Sequence, residues 1–318
     1  MNVKKVVSIL IGVTLISFGV GFLSLRLKES YSVNINEGKN YSVNINKPWL
    51  HNRNGKYKKI DERDSIPLDG IEEIHIDVDI ASINIISEDR KDLSLHYYGT
   101  ISEHIKTDLN TRVAGKSLMV EAKTNESKNL NKSNKTDLHL DIIIPASYKD
   151  NLSLKANLGS TNIEGLELDK IYLKGELGDI NVKNSTFKEL DIKSSLGKID
   201  IDNVISKENK LNADLGSIEV KNLKGFLDAR TNLGSIDLRY DEIDWDIKAE
   251  SSSGSINIVL PKNSNFTLDA TTSLGSIKSS IPLESKEESK TRLSGKTGNG
   301  ENSITLIVGL GSISIEGK

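Results

Sequence analysis

The 318-residue chain contains no cysteine, which excludes disulfides, thiolate metal sites, a catalytic thiol and a lipidated-cysteine anchor. Aromatic residues are scarce at 5%, low for a surface that reads bases or sugars by stacking. Histidine is absent from the second half: His51, His75, His96, His104 and His139 all precede residue 140, and none has metal-ligand spacing. A Ser-His-Asp set is therefore not available in the repetitive half. Charge is balanced to a net −3, which gives no case for nucleic-acid binding. No metal or cofactor motif is present, and the calcium-binding glycine-rich nonapeptide is missing.

What is present is a period. Glycines recur at Gly159, Gly178, Gly197, Gly216, Gly234, Gly254 and Gly275, in steps of 19, 19, 19, 18, 20 and 21, with a last one 36 residues on at Gly311. Such a period marks a stacked repeat in which each unit buries its apolar side against the next. Aliphatic residues alternate on both sides of each glycine. Leu152 and Leu154, or Ile171 and Leu173, lie seven and five residues before; Ile180 and Val182, or Ile199 and Ile201, lie two and four after. The parity flips across the glycine, so the chain turns a corner there, where glycine tolerates angles other residues avoid. The residue before the glycine is Leu in all but one of the first seven repeats, and the alternation predicts that it faces the core. The six or so residues after the second aliphatic pair are expected to form an irregular return side. No helical period intervenes, and no six-residue period marks a left-handed hexapeptide helix. The expected fold is all-β: a right-handed parallel β-solenoid with rungs of about 19 residues.

Ahead of the repeats, Val6 to Leu25 is an uncharged run of twenty residues, enough to cross about 30 Å of hydrocarbon as a helix. It is too long for a signal-peptide core and lacks a small-residue cleavage site. The expected organisation is a membrane anchor over 1–28 (span 6–25), a linker over 29–65, an N-terminal rung with a hairpin cap over 66–150, and the repeat solenoid over 151–318. The bulk of the chain is expected outside a cell membrane crossed once. In the linker, Tyr-Ser-Val-Asn-Ile-Asn occurs at 31–36 and again at 41–46, and a basic run from Lys47 to Lys59 carries no acid. Ala81 stands where a corner glycine would, with Ile83 and Ile85 after it, as a degenerate first rung. Strands are expected at Leu93–Tyr97, Ser117–Val120 and Asp137–Ile144, forming antiparallel hairpins that cap the stack. Pro145, Pro261 and Pro282 mark strand exits. Residues 283–300 are expected to be a charged loop, and the segment ending in Ile313–Ile315 an uncapped last rung whose free edge could pair with another copy.

Several motifs together carry a resemblance. They are Leu215-Gly216-Ser217-Ile218 and Ser253-Gly254-Ser255-Ile256, the strand exit Ile256-Asn257-Ile258-Val259-Leu260-Pro261, and a final Gly298-Asn299-Gly300, Ile304-Thr305-Leu306 and Gly311-Ser312-Ile313-Ser314-Ile315. With the N-terminal span, residues 70–318 resemble the putative-adhesin domain of unknown function of LiaG-like, membrane-anchored envelope proteins of Gram-positive bacteria. That resemblance implies a bacterial surface β-solenoid, sometimes linked with envelope stress, and brings no catalytic residues. Two function classes stay open. One is a non-enzymatic surface module that binds a wall polymer, a protein or its own copy. The other is a carbohydrate-active β-helix enzyme, for which Asp200 with Asp202, or Glu219 with Asp237 on successive rungs, are the candidate carboxylates. Acids at outward positions also serve solubility, so the first class is preferred, with no catalytic, cofactor or metal residues assigned.

Overall fold

The computed structural model describes residues 57–125 and 136–318. The expected anchor at 6–25 and most of the linker lie outside them. Among the described residues the chain is all-β, and no helix is long and apolar enough to cross a membrane. Two sheets, of 13 and 12 strands, face each other across one hydrophobic core.

Each central rung contributes one strand to each sheet. Thr186–Leu196 is a long strand; Gly197 turns the corner, and Ile199–Asp202 is the short strand on the opposite sheet. Leu190, Ile192, Ile199 and Ile201 from this rung are fully buried. Each such side chain stabilises by about 1.5–3 kcal/mol. Neighbouring rungs pair in parallel with the period kept, Ile192 beside Leu173 and Leu211, Ile199 beside Ile180 and Ile218. The expected irregular return side is instead strand. Its residues form the first part of the next long strand, as in Ile205–Leu215, so the section has two ordered sides.

The glycine corner is set by the rung below it. A Cβ on Gly178 would lie 2.1 Å from the carbonyl oxygen of Gly159, and φ there is 141°. No L side chain fits both conditions. The column begins at Ala81, buried and hydrogen-bonded through its N–H to the Leu158 carbonyl, as the degenerate first rung predicts.

The second corner is of another kind. Asn184, Asn203 and Asn222 have φ of 48°, 54° and 49°, the left-handed region that Asn enters more readily than other side chains. Their side chains link rungs: the Asn203 amide donates to Asn184 at 2.9 Å, and the Asn184 amide to Glu164 at 3.1 Å.

The ends depart from expectation. Residues 57–65, assigned to the linker, form most of the strand Tyr57–Pro67, antiparallel to Asp92–Ser102. Ser117–Asn125 and Asp137–Pro145 make the expected antiparallel pairings, with Lys106–Ala114 and Asp92–Ser102, on one edge only. They pair in parallel with Glu73–Ile80 and Ser82–Glu88 and add a further rung. The antiparallel cap lies outside that rung, in Tyr57–Pro67, Asp92–Ser102 and Lys106–Ala114.

At the other end the order of rungs is inverted. Asn302–Leu310 and Ile313–Gly317 insert between the Gly254 rung and the Gly275 rung. The corner column repeats this order, with Gly311 against Gly254 and Gly275 against Gly311, each Cβ position 1.7 Å from the preceding carbonyl oxygen. Ile313–Ile315 is therefore interior and offers no free edge. The edge of that sheet is Ile277–Ser279. Residues 283–300 are not a loop: Glu284–Glu288 and Arg292–Thr297 form an antiparallel hairpin that covers the outer edge of Phe266–Leu274.

Candidate functional site

The core alternation stops short of the corner. The residue three before each glycine from Gly159 to Gly275 is small and buried (Ala156, Ser194, Ala213, Thr231 and Ser251 among them), and several use a hydroxyl to bond a corner carbonyl, as Ser251 does to Gly234 at 3.0 Å. The leucine two residues later has already turned outward. Leu158, Leu177, Leu196, Leu215 and Leu233 are 41–57% exposed, and Leu310 and Leu274 are 54% and 70% exposed. These leucines are not core, contrary to the alternation. The pairing Gly175 with Ser194 and Leu177 with Leu196 leaves Glu176 and Ser195 out of the ladder, which is where the parity is lost. The result is an apolar ridge along the glycine corner.

A concave site lies on the other side, where each long strand begins. Glu167, Thr186, Ile205 and Lys224 are register partners in four successive rungs and run as one column across a groove of about 490 Å³. Leu168 and Phe187 form its buried floor, while Ile205 and Trp245 are 51% and 47% exposed in its wall. Trp245 enters because the Gly234 to Gly254 step is longer by one residue than the usual 19. The extra length falls in the segment 241–246, after the second corner.

The groove is rimmed by Lys149, Lys188, Lys207 and Lys224. Lys149 bonds Glu167 at 2.7 Å, Lys188 bonds Asp169 at 2.6 Å, and Lys224 pairs with Glu242. Each of these acids is thus neutralised. Lys207 has no ion-pair partner among the described residues and leaves the rim cationic. Beside it, the Tyr240 hydroxyl is buried with no protein partner, against a space of about 10 Å³, room for one water. Its burial raises the phenol pKa.

The candidate carboxylates sit on the short-strand sheet, away from the groove. Glu219 and Asp237 are register partners on adjacent rungs, and Asp200 is the neighbour on the other side. Lys198 bonds Asp200 at 2.9 Å and also holds Glu219, while Lys221 reaches Glu219 at 2.8 Å. Hydrogen bonds from Lys198 and then Lys221 hold the Glu219 carboxyl down to about 2. A group so held stays ionised near neutral pH and does not suit the general acid of a glycosidase, whose pKa is raised so that it can donate a proton.

Among the described residues, the histidines lie at the surface, and two of them are brought together. His96 and His139 stack on either side of Tyr98 at 4.3 and 5.2 Å, with Asp61 bonded to His96 at 2.9 Å and Asp137 to His139 at 3.1 Å. His75 bonds Glu73 at 3.0 Å and lies on the opposite sheet. Among the described residues no group of three potential ligands could hold a metal ion.

The groove was not legible in the sequence. Its residues are spread over about a hundred positions, and only the length of one step marks where Trp245 is inserted. The ridge had a signal, a large leucine so close after a small inward residue, which the assumed alternation hid.

Several solved structures are similar to this chain, and one of them reaches the likeness of a shared fold. A putative adhesin from Bacteroides fragilis is 16% identical and covers 81% of this chain and 97% of its own, with a TM-score of 0.50. A putative cell adhesion protein from Clostridium sporogenes is 18% identical over 82% of this chain and 100% of its own, with a TM-score of 0.28. A putative lipid binding protein from Parabacteroides distasonis is 18% identical over 82% and 97%, with a TM-score of 0.33. A comparison with curated proteins returns no match. The sequence of residues 71–316 matches the family described as Toastrack DUF4097. Corner glycines, stacked rungs and family match agree, and the chain belongs to the Toastrack DUF4097 family.

Proposed function

We propose that this protein is a non-enzymatic, adhesin-like binding module of the bacterial cell envelope. Residues 6–25 hold it in the membrane with the bulk of the chain outside, and the solenoid is wound right-handed, the usual sense for crossovers between parallel strands. The likeness to a putative adhesin in fold, and the resemblance to LiaG-like envelope proteins, support this class, including a role in envelope stress.

The observation that carries the reading is the groove. It is a concave surface of about 490 Å³ with an apolar floor and an exposed Trp245. Its acids are paired and its rim keeps a cationic Lys207. Such a surface suits an extended polyanion of the cell wall. The tryptophan packs against a repeat unit, and Lys207 meets its charge as a point-charge contact.

The experiment is a titration of the full-length protein in detergent with purified teichoic acid at two salt concentrations. Saturable binding that weakens with salt is expected. Trp245→Ala should lower affinity roughly tenfold, since an aromatic contact of this kind is worth about 1.4 kcal/mol. Equal affinity of the variant and the parent would overturn the groove as the site. Steady release of product from the polymer would overturn the non-enzymatic reading.

A further inference from the structure

The leucine ridge lies on the glycine corner, away from the groove, and has no role in the reading above. Parallel register places its leucines one strand spacing apart, about 4.8 Å, in a straight apolar line. Only Ser253 breaks the line. A contiguous exposed apolar strip marks an interaction surface. The corner is convex, so it cannot enclose a small ligand. A partner must offer an apolar line of the same pitch, and the ridge of a second copy does.

The charges beside the ridge select the orientation. On the long-strand sheet, the column four residues before each glycine holds Lys155, Lys174, Lys193, Asn212, Arg230 and Glu250. Lys174 is paired with Glu176, and Arg230 with Asp228 and Glu250. That leaves Lys155 and Lys193 without an ion-pair partner among the described residues and the column basic at its first rungs. On the short-strand sheet, the column three residues after each glycine is acidic over three rungs, with Asp200, Glu219 and Asp237, and Lys198 and Lys221 offset only part of it. Between the columns and the ridge, most positions are uncharged, such as Ser195, Asn232, Ser217 and Ser235. A two-fold axis perpendicular to the stack would pair the ridges antiparallel and set basic column against basic column. An axis parallel to the stack sets basic against acidic on both sides and matches each leucine with its own counterpart.

We propose that the leucine ridge is a self-association surface on which two copies pack side by side, solenoid axes parallel and rungs in register. The ridge offers a few hundred Å² per copy, less than the roughly 800 Å² of a standard interface. The pair is therefore weak in free solution and is favoured when both copies are confined to one surface, which raises their effective concentration. The parallel orientation puts both first rungs at the same end, as shared confinement requires.

The absence of native cysteine makes the test direct. Leu177→Cys, Leu215→Cys and Leu310→Cys are introduced singly into the full-length chain, with Lys183→Cys, away from the ridge, as control. Membranes of expressing cells are oxidised mildly and read on a non-reducing gel. A disulfide needs Cβ atoms about 3.5–4.5 Å apart, so only facing positions join. All three ridge variants are expected to give a homodimer several-fold above the control, and adding Leu196→Asp to Leu215→Cys should remove it. Cross-linking at Leu215→Cys alone would overturn the parallel orientation, because only mid-ridge positions meet themselves in an antiparallel pair. No cross-linking above the control would overturn the second copy as occupant. If those cysteines are also shielded from a soluble maleimide until detergent is added, lipid is the occupant.

Discussion

The two corners of each rung solve the same problem in opposite ways. At Gly197 the backbone of the rung below fills the space a side chain would need, with the Gly178 carbonyl oxygen 2.1 Å from the Cβ position. At Asn203 the chain turns through an αL residue whose side chain is exposed and bonds the next rung. The first corner is fixed by its neighbours and is glycine at every rung from Gly159 on. The second is fixed locally, so it accepts Gly165, Asn184, Asn203, Asn222 and Tyr240 in turn. The changes in step length confirm the division. The short step to Gly234 and the long steps to Gly254 and Gly275 all gain or lose residues between the second corner and the next long strand. That is also the side that carries the groove. Where the backbone is interlocked, the sequence is constant; where it is not, insertions build a surface.

The sharpest way to break this contrast is Gly197→Ala. Both faults persist, a φ of 150° and a clash with backbone that cannot move. We expect a loss of about 4–5 kcal/mol, read as the urea midpoint, the range reserved for strain at a special backbone position. Next is Asn209→Leu, at the missing residue of the short step. The register shift there frees two carbonyls, and the buried Asn209 amide donates to Ser206 at 3.2 Å and Phe226 at 3.0 Å. Leucine fits the neighbouring rungs, as at Leu190 and Leu227, yet here it should cost about 1–3 kcal/mol by leaving buried acceptors unpaired.

A third measurement concerns the short strand Ile218–Lys221, which joins the two corners. The Glu219 carboxyl titrates near 2 in the folded chain against an ordinary value of 4.5. Its contribution is complete above about 4.5 and is lost as pH falls through about 2, because protonation then becomes equal in both states. Glu219→Gln should lower stability by about 1–2 kcal/mol at pH 7, after allowance for solvent screening, and by progressively less in acid. A constant difference across pH would break the assignment. The smallest effect is expected at the loose corner: Asn203→Gly should stay within about 0.5 kcal/mol of the parent, whereas Asn203→Ala should cost about 1–2 kcal/mol for the αL angle.

The period, the glycine corner and the paired isoleucines were readable because each obeys a rule local to one rung. The order of the last two rungs was not, because rungs are interchangeable in pattern. One signal existed. Ile313 and Ile315 fill both inward positions, as an interior rung requires, whereas the Gly275 rung has Ile277 and then Ser279, which suits an edge. The asparagine corner was overlooked, although Asn184, Asn203 and Asn222 recur at the same period as the glycines. The groove depends on tertiary register across four rungs, which no local pattern encodes.

The inverted order at the far end has a consequence for how the molecule is made. A stack built outward from its first rung could grow as the chain leaves the ribosome, each new turn docking on a finished one. Here residues 302–317 must lie between the Gly254 rung and one synthesised before them. The Gly275 rung has no seat until residues 302–317 arrive. A chain that stops before residue 302 would thus lack an inner turn and display two unfilled surfaces, one on the Gly254 rung and one on the Gly275 rung.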